Sequence, residues 1–210
     1  LWDGVRASEV CRAWARWTHG LADEVTTSLR LLSIPPLPEL PEFIRGRQLV
    51  VVDGAVVAAE DRAAELLGPL RELAPEMDTF ATVPPVTLTR LHLDPEGPTP
   101  AVSDHLLLAD FDEAAAEALV EVAGTESGTT LLSAEIRHLG GALGRQHSRG
   151  GALDTLAADY AAYFVAVAAT PELASRGQAD AARAVAALEP WSNGGRFLNF
   201  TETAVTATAA

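Results

Sequence analysis

At 210 residues with 48% hydrophobic side chains, the chain can bury one substantial core without disulfides or metal staples. Its 29 acidic against 15 basic residues leave a formal charge of −14, which repels phosphate backbones and anionic lipid, so nucleic acid and membranes are set aside as partners. Every basic residue other than histidine is Arg, which removes lysine chemistry, and the lone Cys11 cannot close an intrachain disulfide, so a cytoplasmic setting is expected.

Val10, Trp14, Trp17 and Leu21 fall at helical spacing and predict an amphipathic helix over residues 7–20, with Cys11 as a buried structural thiol. Val25 to Leu32 is rich in β-formers and predicts a strand, after which four prolines between Ile34 and Pro41 enforce a stiff connector. The β-branched run Gln48 to Val52 predicts a buried strand, and Ala63, Leu66, Leu67, Leu70 and Leu73 supply the apolar stripe of a helix over 59–73. Asp78 to Val83 is expected as another strand, followed by Pro84-Pro85 and a short helical turn through Leu88 and Leu91. The loop from Asp94 to Pro100 then marks a boundary between halves at about 1–93 and 104–200.

The second half repeats this rhythm. His105 to Ala109 is strand-like, Asp110 with Glu113 makes a capping-box start for a helix over 111–123, and Thr130 to Arg137 and Tyr160 to Ala168 read as strands. Thr170-Pro171-Glu172 supplies an N-cap, a first-turn proline and a first-turn acid for a last helix ending near Leu188. Arg196 to Phe200 is expected as a closing strand. The fold class is therefore α+β: two ferredoxin-like β-α-β-β-α units sharing a largely antiparallel sheet, with helices on one face and the other free to cover a ligand.

Strand alternation places Ser133, Glu135 and Arg137 on one face, a row suited to hydrogen-bonding a polar substrate and equally to facing solvent. His138 points the other way unless the strand bends; it is a candidate proton donor or acceptor, or a structural residue beside a glycine turn. Gly140-Gly141 matches neither the dinucleotide nor the Walker spacing, so it reads as a turn or a point of close approach for a backbone or flat ring. The phenols of Tyr160 and Tyr163 can orient or deprotonate a substrate hydroxyl, with core packing as the alternative. Asn199, in an apolar segment, needs hydrogen-bond partners if buried. His92-Leu93-Asp94 with Glu96 and Asp104-His105 are metal-ligand types in no compact metal spacing, so no metal site is assigned.

In order, Pro35-Pro36 through Pro41, Arg45-Gly46, Leu91-His92-Leu93-Asp94-Pro95-Glu96, Arg137-His138-Leu139-Gly140-Gly141-Ala142-Leu143 and Leu198-Asn199-Phe200 resemble bacterial FAD-linked oxidases of the berberine-bridge and 6-hydroxynicotine oxidase type. The resemblance implies an α/β substrate domain whose sheet covers the flavin ring, with FAD held mainly by another domain that this chain lacks. It implies Arg137, His138 and Tyr163 near the substrate; joined to the strand-face reading, this makes His138 and Tyr163 the catalytic candidates and Glu135, Arg137 and Tyr160 the substrate-binding ones. Gly141 and Asn199 are implied at the flavin edge. Beginning at Leu1-Trp2, the chain reads as a piece of a longer oxidoreductase, inactive alone, that oxidises a small molecule by hydride transfer to flavin. A stand-alone ferredoxin-like ligand-binding or homodimerisation module is the rival, and a cofactor-independent enzyme using His138 and Tyr163 a third reading.

Overall fold

A computed structural model describes residues 1–92, 97, 99–151 and 154–202. Its elements run β1 (Trp2–Asp3), α1 (Ala7–Thr18), β2 (Val25–Ser33), β3 (Gln48–Val56), α2 (Glu60–Arg71), β4 (Ala101–Leu108), α3 (Glu113–Ala123), β5 (Leu131–His138), β6 (Tyr160–Val167) and α4 (Pro171–Leu188), with five short 3-10 turns. All six strands join one antiparallel sheet in the order β1-β3-β2-β5-β6-β4. Each half thus runs β-α-β-β-α with its first strand outermost and its third in the middle. The second strands, β2 and β5, meet at the seam, where Arg30 lies opposite Glu135.

Side-chain alternation divides the two sheet faces. Leu29, Leu31, Val50, Val52, Leu106, Leu108, Ala134, Ile136, Ala162 and Phe164 point into a core that also takes Val10 and Trp14 from α1, Leu67 and Leu70 from α2, Leu119 from α3, and Ala181 and Leu188 from α4. All four α-helices therefore pack on this one face. Burying several whole aliphatic and aromatic side chains here, each worth about 1.5–3 kcal/mol, supplies the main drive for folding. Side-chain N-caps open α3 and α4; at α4 Thr170 Oγ1 accepts from Leu173 N at 3.3 Å, with Pro171 in the first turn.

Three expectations are corrected. The α3 cap is Asp112, whose Oδ1 accepts from Ala115 N at 2.8 Å, whereas Asp110 Oδ1 accepts from Phe111 N at 2.7 Å and contacts His19. Residues 78–83 form no strand: Asp78 accepts from Phe80 N at 3.0 Å and from Arg71 Nε at 2.8 Å, a local turn that competes with sheet pairing. The segment from Arg196 to Phe200 is a 3-10 turn over 198–200. It fails to extend the sheet because the β4 edge is already engaged by preceding backbone, Ala109 N donating to Trp191 O and Asn193 N to Leu107 O. Most of the proposed boundary loop, and Leu93, Asp94, Pro95 and Glu96 of the family resemblance, lie outside the described residues.

Candidate active-site face

The face opposite the helices carries charge across the middle of the sheet. The pairings align Val51, Arg30, Glu135, Tyr163 and His105 as one rung from β3 to β4, and Asp53, Ser28, Arg137, Ala161 and Leu107 as the next. Each polar side chain sits there because its strand alternates, with every second residue committed to the helix-covered core.

Most of these charges answer one another. Asp53 Oδ2 pairs with Arg30 Nη2, Asp53 Oδ1 accepts from Ser28 Oγ at 2.6 Å, and His92 Nε2 lies 3.3 Å from Asp53 Oδ1. Burial pushes the Asp53 carboxyl up, but contact with His92 and the Arg30 charge outweigh it, and the net shift is downward. Contact with the same carboxylate raises the His92 imidazole against burial. Across the seam Glu135, 4% exposed, is gripped by Arg137, whose Nε and Nη2 donate to its two oxygens at 2.8 and 3.1 Å, while His92 Nδ1 stands 4.0 Å away. Among the described residues, Arg30 Nε finds no partner, and neither Arg137 Nη1 nor the Tyr163 hydroxyl is committed to a hydrogen bond. The face therefore keeps a fixed carboxylate with a guanidinium edge and a phenol beside it.

After α4 the chain rounds the β4 edge and returns beneath it. Phe200 stacks on Tyr163 with ring centroids 4.4 Å apart and an interplanar angle of 20°, and the Arg137 guanidinium carbon sits 5.0 Å from the Phe200 centroid. Phe197 N donates to His105 Nε2 at 2.9 Å, and Ser103 N donates to Glu202 Oε2 at 3.0 Å.

The residues nominated from sequence separate into two groups. Glu135, Arg137 and Tyr163 come together on the helix-free face. His138 and Tyr160 occupy the helix-covered face, 8% and 3% exposed, with ring centroids 5.3 Å apart. Burial lowers the His138 imidazole and raises the Tyr160 phenol, whose hydroxyl lies 2.9 Å from Thr18 Oγ1. They line a cleft of about 280 Å³ with His19, Asp110, Gly141 and Asp159. Gly141 takes a φ of +62° in the turn after β5, which only glycine adopts without strain, and Asn199 is exposed on the 3-10 turn. Sequence reasoning missed Arg30 and Asp53, although a charge inside each apolar strand was the available signal. His92 and His105 face Asp53 and Phe197; among the described residues no cluster of three His, Cys, Asp or Glu could hold a metal.

Fold and face together define a class: a six-stranded antiparallel sheet backed by helices, with a preorganised polar surface on the other side. No protein-family model matches the chain, and no curated protein matches its sequence. Solved structures do match its fold. 6-Hydroxy-D-nicotine oxidase from Arthrobacter nicotinovorans superposes with a TM-score of 0.68 at 15% identity, over 100% of this chain and 46% of that one. Chitooligosaccharide oxidase gives 0.67 at 16%, over 95% and 44%, and Physcomitrella patens BBE-like 1 gives 0.67 at 11%, over 95% and 44%. The chain thus shares the fold of a portion of these oxidases, as the sequence resemblance implied, and spans less than half the length of each.

Proposed function

We propose that this chain is the substrate-binding domain of an FAD-dependent oxidoreductase and that its helix-free sheet face forms the wall of a substrate cleft. The observation that carries this reading is the rung Arg30, Glu135, Tyr163, His105: ionisable and hydrogen-bonding groups at low exposure on a face without helices, in a chain with the fold of half an oxidase. The two β-α-β-β-α halves are read as ferredoxin-like units. A cytoplasmic setting and a possible homodimer belong to the same reading.

The residues suit one end of FAD and not the other. Arg137 Nη1 and the Tyr163 hydroxyl are the kinds of donor that meet ring carbonyls and nitrogens, whereas a chain of charge −14 without a dinucleotide glycine fingerprint is poorly built to hold a pyrophosphate. FAD, held mainly by a domain outside this chain, supplies the hydride acceptor. Gly141 and Asn199 are assigned to its edge. The chain's own residues do the rest. Arg137 holds Glu135 in one orientation and keeps the carboxylate as a fixed acceptor for a substrate N–H or O–H. Tyr163 orients the substrate heteroatom and carries its proton. His138 and Tyr160 act from the far face, by fixing the end of β5 and the Gly140-Gly141 turn from which the Arg137 strand leaves the sheet.

The test uses the chain joined to its flavin-binding segment. Tyr163→Phe is expected to lower kcat/KM about a hundredfold with FAD content unchanged, the usual weight of a positioned proton-transfer group. An unchanged kcat/KM refutes the assignment. Tight stoichiometric FAD binding by the 210-residue chain alone, or a dimer that buries Tyr163, favours instead a self-sufficient ligand-binding or dimerisation module.

A further inference from the structure

The segment Phe197–Glu202 covers part of the proposed substrate wall, and its attachment is chemically uneven. Two of its aromatic contacts, Phe200 on Tyr163 and Phe197 edge-on to Phe200 at 5.0 Å, involve no histidine, while a third sets Phe200 edge-on to the His105 ring at 6.3 Å. Its backbone tether depends on pH, because Phe197 N–H is accepted by His105 Nε2 at 2.9 Å, with Thr201 Oγ1 3.4 Å from the same nitrogen. An imidazole nitrogen accepts only when it carries no proton, so this geometry requires neutral His105 with its proton on Nδ1. His105 is 2% exposed and stands in the rung of Tyr163 and Glu135.

We infer that the segment Phe197–Glu202 is a strap latched by His105 over Tyr163 and Arg137, and that protonating His105 opens it and uncovers the face. This rests on the reading of that face as a substrate wall. Protonation turns Nε2 from acceptor into donor, so two N–H groups confront each other inside a buried contact and the bond is lost. The charged and titratable groups around His105 are Arg196 just before the strap, Glu202 within it, Asp104 on its own strand, and Tyr163 and Glu135 across the sheet. Burial and the Arg196 charge lower the imidazole, while Asp104 and the Phe200 backbone oppose them, so neutral His105 and the closed strap prevail at neutral pH. Opening therefore belongs below the ordinary histidine value of 6.5. When the strap opens, the Tyr163 ring loses its stacked partner and the Arg137 guanidinium its aromatic cover. The site becomes available to a planar ring of similar size. A ligand ring that stacks on Tyr163 competes with Phe200 and so favours the opened state, which couples binding to proton uptake.

Solution NMR of the whole chain reads the latch without flavin or substrate. The expected result is that the His105 ring, the Phe197 amide and the Tyr163 ring signals titrate together with a midpoint below 6.5, and that protection of the Phe197 amide from exchange falls about fivefold after correction for intrinsic rates. His105→Gln, whose side-chain oxygen accepts at any pH, is expected to keep the strap closed and flatten the Tyr163 titration. His105→Leu, with no acceptor, is expected to show the opened Tyr163 signals already at neutral pH while α3 and α4 amides are unmoved. Phe197 and Tyr163 signals that stay fixed while His105 titrates, or a Tyr163 titration that survives in His105→Gln, overturn the latch. Because these readouts contain no catalytic step, they fail or succeed separately from the kcat/KM test of the substrate wall.

Discussion

Replacing Asp53 by Asn tests the charge network where it is most enclosed. The Asp53 and Arg30 side chains are only 10% and 12% exposed, and Asp53 also accepts from Ser28 and contacts His92. The substitution keeps size and one acceptor, so the hydrogen bond from Ser28 can survive, but it leaves the Arg30 guanidinium without its paired carboxylate. Breaking one side of such a pair costs about 3–5 kcal/mol. Glu135, opposite Arg30 across the seam, offers partial compensation, so the lower end, about 3 kcal/mol, is expected. In a chain of 210 residues that lowers Tm by roughly 6–12 °C, taking about 2–4 °C per kcal/mol. Urea denaturation followed by far-ultraviolet circular dichroism measures the loss. NMR titration of the same variant should find the His92 imidazole lowered relative to the parent, since its contact with Asp53 is the principal cause of its upward shift. A loss below about 1 kcal/mol, the range of a surface pair, refutes the claim that this pair is enclosed. The double variant Arg30→Met with Asp53→Leu should recover most of the stability, because removing both charges removes the uncompensated one.

Other consequences are more local. Gly140→Ala would set a Cβ 2.5 Å from His138 Nε2, and since His138 is buried the clash should cost about 1–3 kcal/mol in denaturant titration, with no loss if the turn is free to move. Thr18→Val removes the hydroxyl beside Tyr160 and should cost about 1–3 kcal/mol, accompanied by a change in near-ultraviolet circular dichroism from the Trp14, Phe111 and Tyr160 cluster. His92 has a folded pKa raised above 6.5, so its contribution is fully present below that value and lost as pH rises through the raised one. Stability measured from pH 6 to 9 should fall more steeply in the parent than in His92→Gln; parallel curves would remove His92 from the network.

Much of the architecture was readable because its causes are local. The α1 stripe of Val10 and Trp14, the Thr170-Pro171 start of α4 and the β-branched runs of β2 and β3 each carry their structure within a few residues. Where a local signal had two outlets it misled: Asp78 could begin a strand or fold a turn on itself, and Phe197 to Phe200 could extend the sheet or turn beneath it. The candidate site was legible only strand by strand. Alternation correctly set Glu135 and Arg137 on one face and His138 on the other, a separation that follows from the period of two.

The order of hydrophobic periods and caps in this sequence determined four helices, strands with one core-facing side, and two similar halves, since each depends on neighbours a few residues apart. Tertiary structure alone decided that β2 meets β5, that Arg30 therefore faces Glu135, that His92 reaches Asp53, and that Phe200 lies on Tyr163. Those partners are distant along the chain. Their meeting is set by which strand edges pair and how the helices bury one face, and no single strand carries that information.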